Sequence, residues 1–277
     1  MPAWDAYACL LNPEFDKPRS KKIYDQIRKF SQILSSQAFY RNPEKVTLKI
    51  NPVDLNKTLD IIEKKIDEET YGTEYEFSKD LIMLFGEFHD GHTYFATGCA
   101  LVFGQFIHDY PLVSIVDPGT NALKVFLFNS TTGDVEEEIV EIAGQTVIQH
   151  LLDLVQNLKG PYDAIWIDED ARWNGLFGSM GVMGLDLGNF ASRDLYPGAD
   201  FTMKTKSGNV IKVQWYVSGP VYWADKSYFA KLFESTESYY NEWCLVSPNA
   251  QALESSNAAA PHYQPNIHTN IISRLHK

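Results

Sequence analysis

The sequence predicts an α+β fold in which an amino-terminal helical unit precedes a β-rich region, and two changes of apolar period carry that prediction. Up to about residue 90, apolar side chains recur at spacings of 4, 3 and 4, one stripe of a 3.6-residue helix. After residue 92 the period falls to two, through short segments bounded by Gly, Asp or Pro. A strand, a tight turn and a helix in succession over residues 139 to 156 then place one helix inside the β-rich part. The expected boundaries are 1–92 for the helical domain, 93–245 for the β-rich domain and 246–277 for an irregular linker.

The first helix carries Ile23, Ile27, Phe30 and Leu34 on one stripe. A second carries Leu55, Leu59, Ile62 and Ile66 after the entry signal Asn51-Pro52. The third carries Phe77, Leu81, Leu84 and Phe88, and opens with Thr73-Glu74-Tyr75-Glu76, a capping-box spacing in which Thr73 and Glu76 each satisfy a backbone donor. Strands are expected around 93 to 97, 101 to 107, 111 to 116 and 122 to 129. Next come a short strand, Ile139 to Ile142, the turn Ala143-Gly144-Gln145, and a helix with Val147, Leu151 and Leu154 in line, a succession that resembles a PDZ-like core. Further on, Phe201 and Met203 alternate with polar neighbours, as do Ile211, Val213, Trp215 and Val217, with Ser207-Gly208-Asn209 between the runs, so a β-hairpin is expected. From Ser247 onward the text is rich in Ala, Asn and Ser, with no period.

Composition narrows the partners. With 24 basic against 36 acidic side chains the formal net charge is -12, so a phosphate backbone is on average repelled and no nucleic acid partner is expected. No run of about 18 apolar residues is present to cross a bilayer, so no membrane partner is expected either. Glu136-Glu137-Glu138 reads as a solvated loop or strand edge. Cys9, Cys99 and Cys244 are too few and too far apart for a zinc knuckle or a Cys-x-x-Cys motif, and in a secreted chain their odd number leaves one thiol over or bonded elsewhere. Two Asn-x-Ser/Thr sequons begin at Asn56 and Asn129. The start, Met1-Pro2-Ala3-Trp4-Asp5, shows no signal segment as written.

The most pointed chemical feature is Phe88-His89-Asp90-Gly91-His92-Thr93, where an apolar-striped helix stops and the strands begin. Read from the residues alone it is either a helix-ending turn with capping His or a turn presenting an imidazole as general base. His89 and His92 with His108 or Glu87 would be a metal set, but no second ligand pair at helical spacing joins them, and no metal is expected. No nucleophile elbow is found: Gly178-Ser179-Met180-Gly181 lacks the leading Gly and reads as a glycine-rich loop, and nothing around Cys99 matches a cysteine peptidase. Phosphate-loop and dinucleotide motifs are missing, so no organic cofactor is expected. Asp168, Glu169 and Asp170 precede Arg172 at a helix start, a capping role. Trp215, Tyr216, Tyr222 and Trp223 suggest core packing or a peptide groove.

Several segments in order resemble the amino-terminal half of C-terminal processing (tail-specific) serine peptidases, in the branch similar to the chlamydial protease-like activity factor and its secreted fungal and protist relatives. They are Phe39-Tyr40-Arg41-Asn42-Pro43, Val53-Asp54-Leu55, Glu74-Tyr75-Glu76-Phe77, His89-Asp90-Gly91-His92, Val140 to Gln145, Asp168 to Phe177, and Tyr196-Pro197-Gly198. The resemblance implies that His92 is the catalytic His, with Asp90 able to orient it, and that the nucleophilic Ser lies in a core domain beyond Lys277. It further implies a secreted serine endopeptidase acting on peptide or protein substrates, of which these residues are a part without catalysis of its own. A free-standing peptide- or protein-binding module, a pseudoenzyme, is the alternative, and homo-oligomerisation is a further partner expectation.

Overall fold

The computed structural model describes residues 1–43, 50–129, 131–160, 166–181, 184–218 and 234–244. The linker expected over 246–277, and with it Tyr222 and Trp223, lies outside the described residues.

The helical unit comprises α1 (Ala3–Leu10), α2 (Lys17–Ser31), α3 (Gln37–Arg41), α4 (Leu55–Asp67) and α5 (Glu74–Gly86). Side chains at the helix starts take up the first orphan amides: Asp16 accepts from Arg19 N–H, Asp54 from Lys57 N–H, and Thr73 with Glu76 closes the expected capping box. Leu55, Leu59, Ile62 and Ile66 form the buried stripe of α4, against Phe77, Leu81, Leu84 and Phe88 from α5 and its C-terminal turn. Of the stripe expected here, Ile23, Ile27 and Leu34 pack half-buried against the same core and Phe30 does not. Phe30 is 68% exposed, and the buried line runs through Ser20, Tyr24 and Ser31. Polar anchors turn the helix that way, since the Tyr24 hydroxyl donates to Glu63 at 3.1 Å and the Ser20 hydroxyl to the buried Glu74 at 3.2 Å.

The segment 93–97 is not a strand but a loop, and 98–101 forms the short helix α6 (Gly98–Leu101), capped by Thr97. A side chain at Gly98 would place its Cβ 2.6 Å from the Trp243 carbonyl oxygen, so a contact far along the chain decides this stretch. Strand β1 (Gln105–Ile107) sits between β8 (Ser192–Arg193) and β11 (Tyr216–Ser218) in one antiparallel sheet.

The larger sheet runs β10 (Val210–Val213), β9 (Phe201–Thr205), β4 (Val135–Ile142), β3 (Leu123–Phe128), β2 (Leu112–Val116), with β5 (Gln145–Thr146) hairpinned onto β4. Its pairs are antiparallel. Ala143 and Gly144 both lie at positive φ, 51° and 81°, the mirror-image turn that suits a two-residue hairpin. Helix α7 (Val147–Asn157) packs Val147, Leu151 and Val155 onto this sheet, and Leu154, expected in that line, is half-buried at the edge of the same core. Glu136 to Glu138 belong to β4, whose exposed face meets Lys206, Ser207 and Asn209 of the β9–β10 turn. The run from Ile211 to Val217 is two strands in different sheets, divided at Trp215, whose N–H donates to Asp200 at 3.1 Å. Helices α8 (Glu169–Asn174) and α9 (Gly188–Ala191) and the hairpin β6 (Ser179–Gly181)–β7 (Gly184–Asp186) complete the unit, and α10 (Thr236–Tyr239) leads into a π turn at Tyr240–Cys244. Gly178-Ser179-Met180-Gly181, expected as a glycine-rich loop, thus enters a strand.

A second cluster joins the two regions. Ala3, Ala6 and Leu10 of α1 pack with Tyr75 and Ile82 of α5, with Phe103 and Phe106 around β1, and with Trp215, Val217 and Tyr239. Helix α5 is therefore buried between two cores.

Candidate functional site

The His89–His92 turn is built by the end of α5. The left-handed residue that stops the helix is His89, at φ 47°, and not Gly91; the His89 N–H donates to the Gly86 carbonyl at 3.1 Å and the residue is 7% exposed. His89 therefore fills the capping role. Asp90 then closes a tight turn: one carboxylate oxygen accepts from the His92 N–H at 2.9 Å and the other from the Thr93 hydroxyl at 2.8 Å. The same oxygen that holds the His92 amide lies 3.4 Å from His92 Nδ1, and the imidazole is 99% exposed. Burial pushes the Asp90 carboxyl up, but the hydrogen bonds from His92 and Thr93 outweigh it and hold it below its ordinary value. An ionised Asp90 beside Nδ1 favours the tautomer with its proton there, leaving Nε2 facing solvent.

The residues weighed as companions lie elsewhere. Cys99 is disulfide-bonded to Cys244, which removes it as a nucleophile and leaves Cys9 as the free thiol, its pKa raised by burial and by Asp5. His108 is fully buried against Trp215, Phe190 and Phe201, with ring centroids 4.5, 5.0 and 5.6 Å away. Its Nδ1 accepts from the Tyr110 N–H at 3.2 Å, and burial, with Arg193 adding to it, holds its pKa at about 3. It is a neutral core residue. Among the described residues no group of three His, Cys, Asp or Glu is placed to share a metal ion. Asp168 accepts from Ala171 N–H at 2.9 Å, the capping role expected of that carboxylate run.

Two places offer themselves to a peptide. Among the described residues the open edges of the larger sheet are β2 and β10, and PDZ domains bind by adding a strand to a sheet edge. The start of β2 is already engaged, because the Leu112 carbonyl accepts from Gly178 N–H at 2.8 Å. The second is a cleft of about 460 Å³ between α5, α7 and the segment after β8, with Met83, His150, Leu154, Phe201 and Trp215 among its walls. His150, Leu154 and Asn157 are spaced four and three apart, so one stripe of α7 faces it, with Leu154 shared between the cleft and the core.

The family of CPAF-like PDZ domains matches residues 105–221. Residues 105–221 are thus PDZ-like. Two curated relatives, the Peptidase S41 family proteins phomP1' and phomP1 of Diaporthe leptostromiformis, are each 31% identical over 133 residues, 46% of this chain and 19% of theirs. The match thus spans about a fifth of the length of those relatives. No solved structure matches the chain. The chain is thus similar over 46% of its length to peptidase S41 proteins, the group that the sequence resemblance names.

The cleft and the Cys99–Cys244 bond escaped sequence reasoning. The stripe His150, Leu154, Asn157 was the available signal for the cleft, but periodicity alone does not say which of two adjacent stripes of a helix is the core one. The pairing of Cys99 with one of two distant cysteines had no local signal at all.

Proposed function

We propose that this chain is the amino-terminal, partner-binding region of a secreted serine endopeptidase, with His92 as its general base. The observation that carries the reading is the wholly exposed imidazole of His92, backed by Asp90 on the turn that ends a buried helix. In the assembled enzyme the hydroxyl proton of a serine from the core domain passes to His92 Nε2 as its oxygen attacks the peptide carbonyl; the proton then goes to the leaving amine, and water hydrolyses the acyl-enzyme. The similarity to peptidase S41 proteins supports this class of reaction, and the Cys99–Cys244 disulfide suits an oxidising compartment and so supports secretion, with Asn56 and Asn129 as glycan acceptors.

The test is peptide hydrolysis by the natural full-length protein with His92→Asn. Loss of turnover by about three orders of magnitude or more, with an unchanged melting temperature, is the expected result, because the side chain is exposed. Hydrolysis at the wild-type rate would refute it. The PDZ domain at 105–221 favours a second reading, a peptide-binding module without chemistry, and in that case neither form hydrolyses while both bind peptide.

A further inference from the structure

Helix α1 carries an aromatic surface that the peptidase reading does not use. Its inner side, Ala3, Ala6 and Leu10, is core, and Trp4 and Tyr7, three apart, share a stripe beside it. The Tyr7 ring stacks on that of Tyr196 from the segment after β8, with centroids 4.2 Å apart and planes 8° from parallel. Trp4 leans on both, 5.9 Å from Tyr7 and 6.3 Å from Tyr196, inclined by 54° and 60°, and is 64% exposed. Buried rings hold the pair from beneath, Tyr75 edge-on to Tyr7 at 5.5 Å and Phe106 edge-on to Tyr196 at 5.7 Å. The helix itself is tied down, since the Ala3 N–H donates to the Trp215 carbonyl and the Val217 N–H to the Met1 carbonyl, both at 3.0 Å. The surface is therefore preformed, and a ligand need not order it. Its polar tips are donors: among the described residues no hydrogen bond uses Trp4 Nε1–H, the Tyr7 hydroxyl or the Tyr196 hydroxyl. Burial, with Asp200 and then Tyr7 adding to it, pushes the Tyr196 hydroxyl up, so it stays protonated and able to donate. Two exposed carboxylates stand at the margin, Asp5 next to Trp4 in the chain and Asp200 acting on Tyr196.

We propose that the surface formed by Trp4, Tyr7 and Tyr196 binds a proline-rich protein segment in the polyproline II conformation, with a basic residue at one end against Asp5 or Asp200. Aromatic planes suit flat, rigid pyrrolidine rings. A polyproline helix makes no internal hydrogen bonds, so its carbonyls are free for the Trp N–H and Tyr O–H groups, and its prolines bring no amide donors to be satisfied in return. An added β-strand finds no match here, because the surface presents side chains and no open strand edge. The carboxylates and the net charge of -12 both favour a basic segment over an acidic one. The site uses neither His92 nor an edge of the PDZ-like sheet, so it stands whether or not the chain is part of a peptidase.

The experiment uses the whole chain and three fluorescein-labelled ten-residue peptides, followed by fluorescence anisotropy: eight prolines ending in two Arg, eight prolines ending in two Glu, and eight alternating Ala and Ser ending in two Arg. The proline–Arg peptide is expected to bind at least tenfold tighter than the Ala/Ser peptide of equal charge, and severalfold tighter than the proline–Glu peptide. Trp4→Ala, at an exposed side chain, is expected to weaken it about tenfold with an unchanged melting temperature. Tyr196→Phe, which keeps the ring and removes the donor, should weaken it severalfold, and Trp166→Ala, at another exposed Trp, not at all. Equal binding of the proline–Arg and Ala/Ser peptides, silence from all three, or an effect of Trp166→Ala equal to that of Trp4→Ala would overturn the proposal. Equal binding of the two proline peptides would overturn the part given to Asp5 and Asp200.

Discussion

Replacing Arg19 by Met tests the tie between the helical unit and the segment after the PDZ domain. Glu74 has none of its side chain exposed, and Arg19, 15% exposed, faces it with one guanidinium nitrogen while the other donates to the Cys244 carbonyl. The variant leaves Glu74 with the Asp16 N–H at 2.7 Å and the Ser20 hydroxyl at 3.2 Å. Removing one partner of a buried ion pair costs ~3–5 kcal/mol, and the bond to Cys244 contributes ~1 kcal/mol more. The two surviving donors keep the ion-pair loss near the lower end, so the expected total is about 4 kcal/mol. For a chain of this size that lowers the melting temperature by roughly 8–16 °C. A urea titration followed by Trp fluorescence should show a lower midpoint at an unchanged slope. The double variant Arg19→Met with Glu74→Gln should recover most of the loss, because no bare charge is left behind. A single-variant loss under about 1 kcal/mol, or a double variant no more stable than the single, would refute the reasoning.

Three further outcomes are expected. Reducing the Cys99–Cys244 bond, whose ends are 145 residues apart, should destabilise the chain by up to about 5 kcal/mol through restored loop entropy, read as a lower melting temperature with reductant than without. Ala143→Asn should add ~0.5–1 kcal/mol, since Ala is strained at φ 51° and Asn is not, and a denaturant midpoint that falls would contradict this. Because His108 is held at about 3 by burial, and ordinarily titrates near 6.5, the unfolded chain takes a proton that the folded one refuses. Its contribution is therefore fully present above about pH 6.5 and lost as pH falls toward 3, so His108→Phe should lose less stability over that window than the wild type, and parallel curves would refute the assignment.

The helical half was the more legible one because its signals are local. Thr73 and Glu76 make the capping box their spacing announces, and Leu55, Leu59, Ile62 and Ile66 bury as one stripe. Misreadings came where a distant residue decides. Segment 93–97 alternates like a strand, yet Gly98 must fit against Trp243 and the chain turns helical there. Phe30 looks like core by period, but Ser20 and Tyr24 have polar partners on α5 and α4 that set the rotation of α2. At the candidate site, sequence reached the turn and both His; that His89 caps while His92 stands in solvent depends on which residue adopts positive φ, and spacing does not say which.

The disulfide has a mechanical consequence. Cys99 and Cys244 bracket residues 105–221, so the PDZ domain is a side ring on the covalent path. A pull entering at the amino-terminal helices and leaving past Cys244 crosses one sulfur–sulfur bond and bypasses the domain. The ring can open, take up a ligand or unfold under that load without lengthening the molecule. With the bond reduced, the same pull runs through the domain and can draw out roughly 480 Å of chain from the 145-residue span.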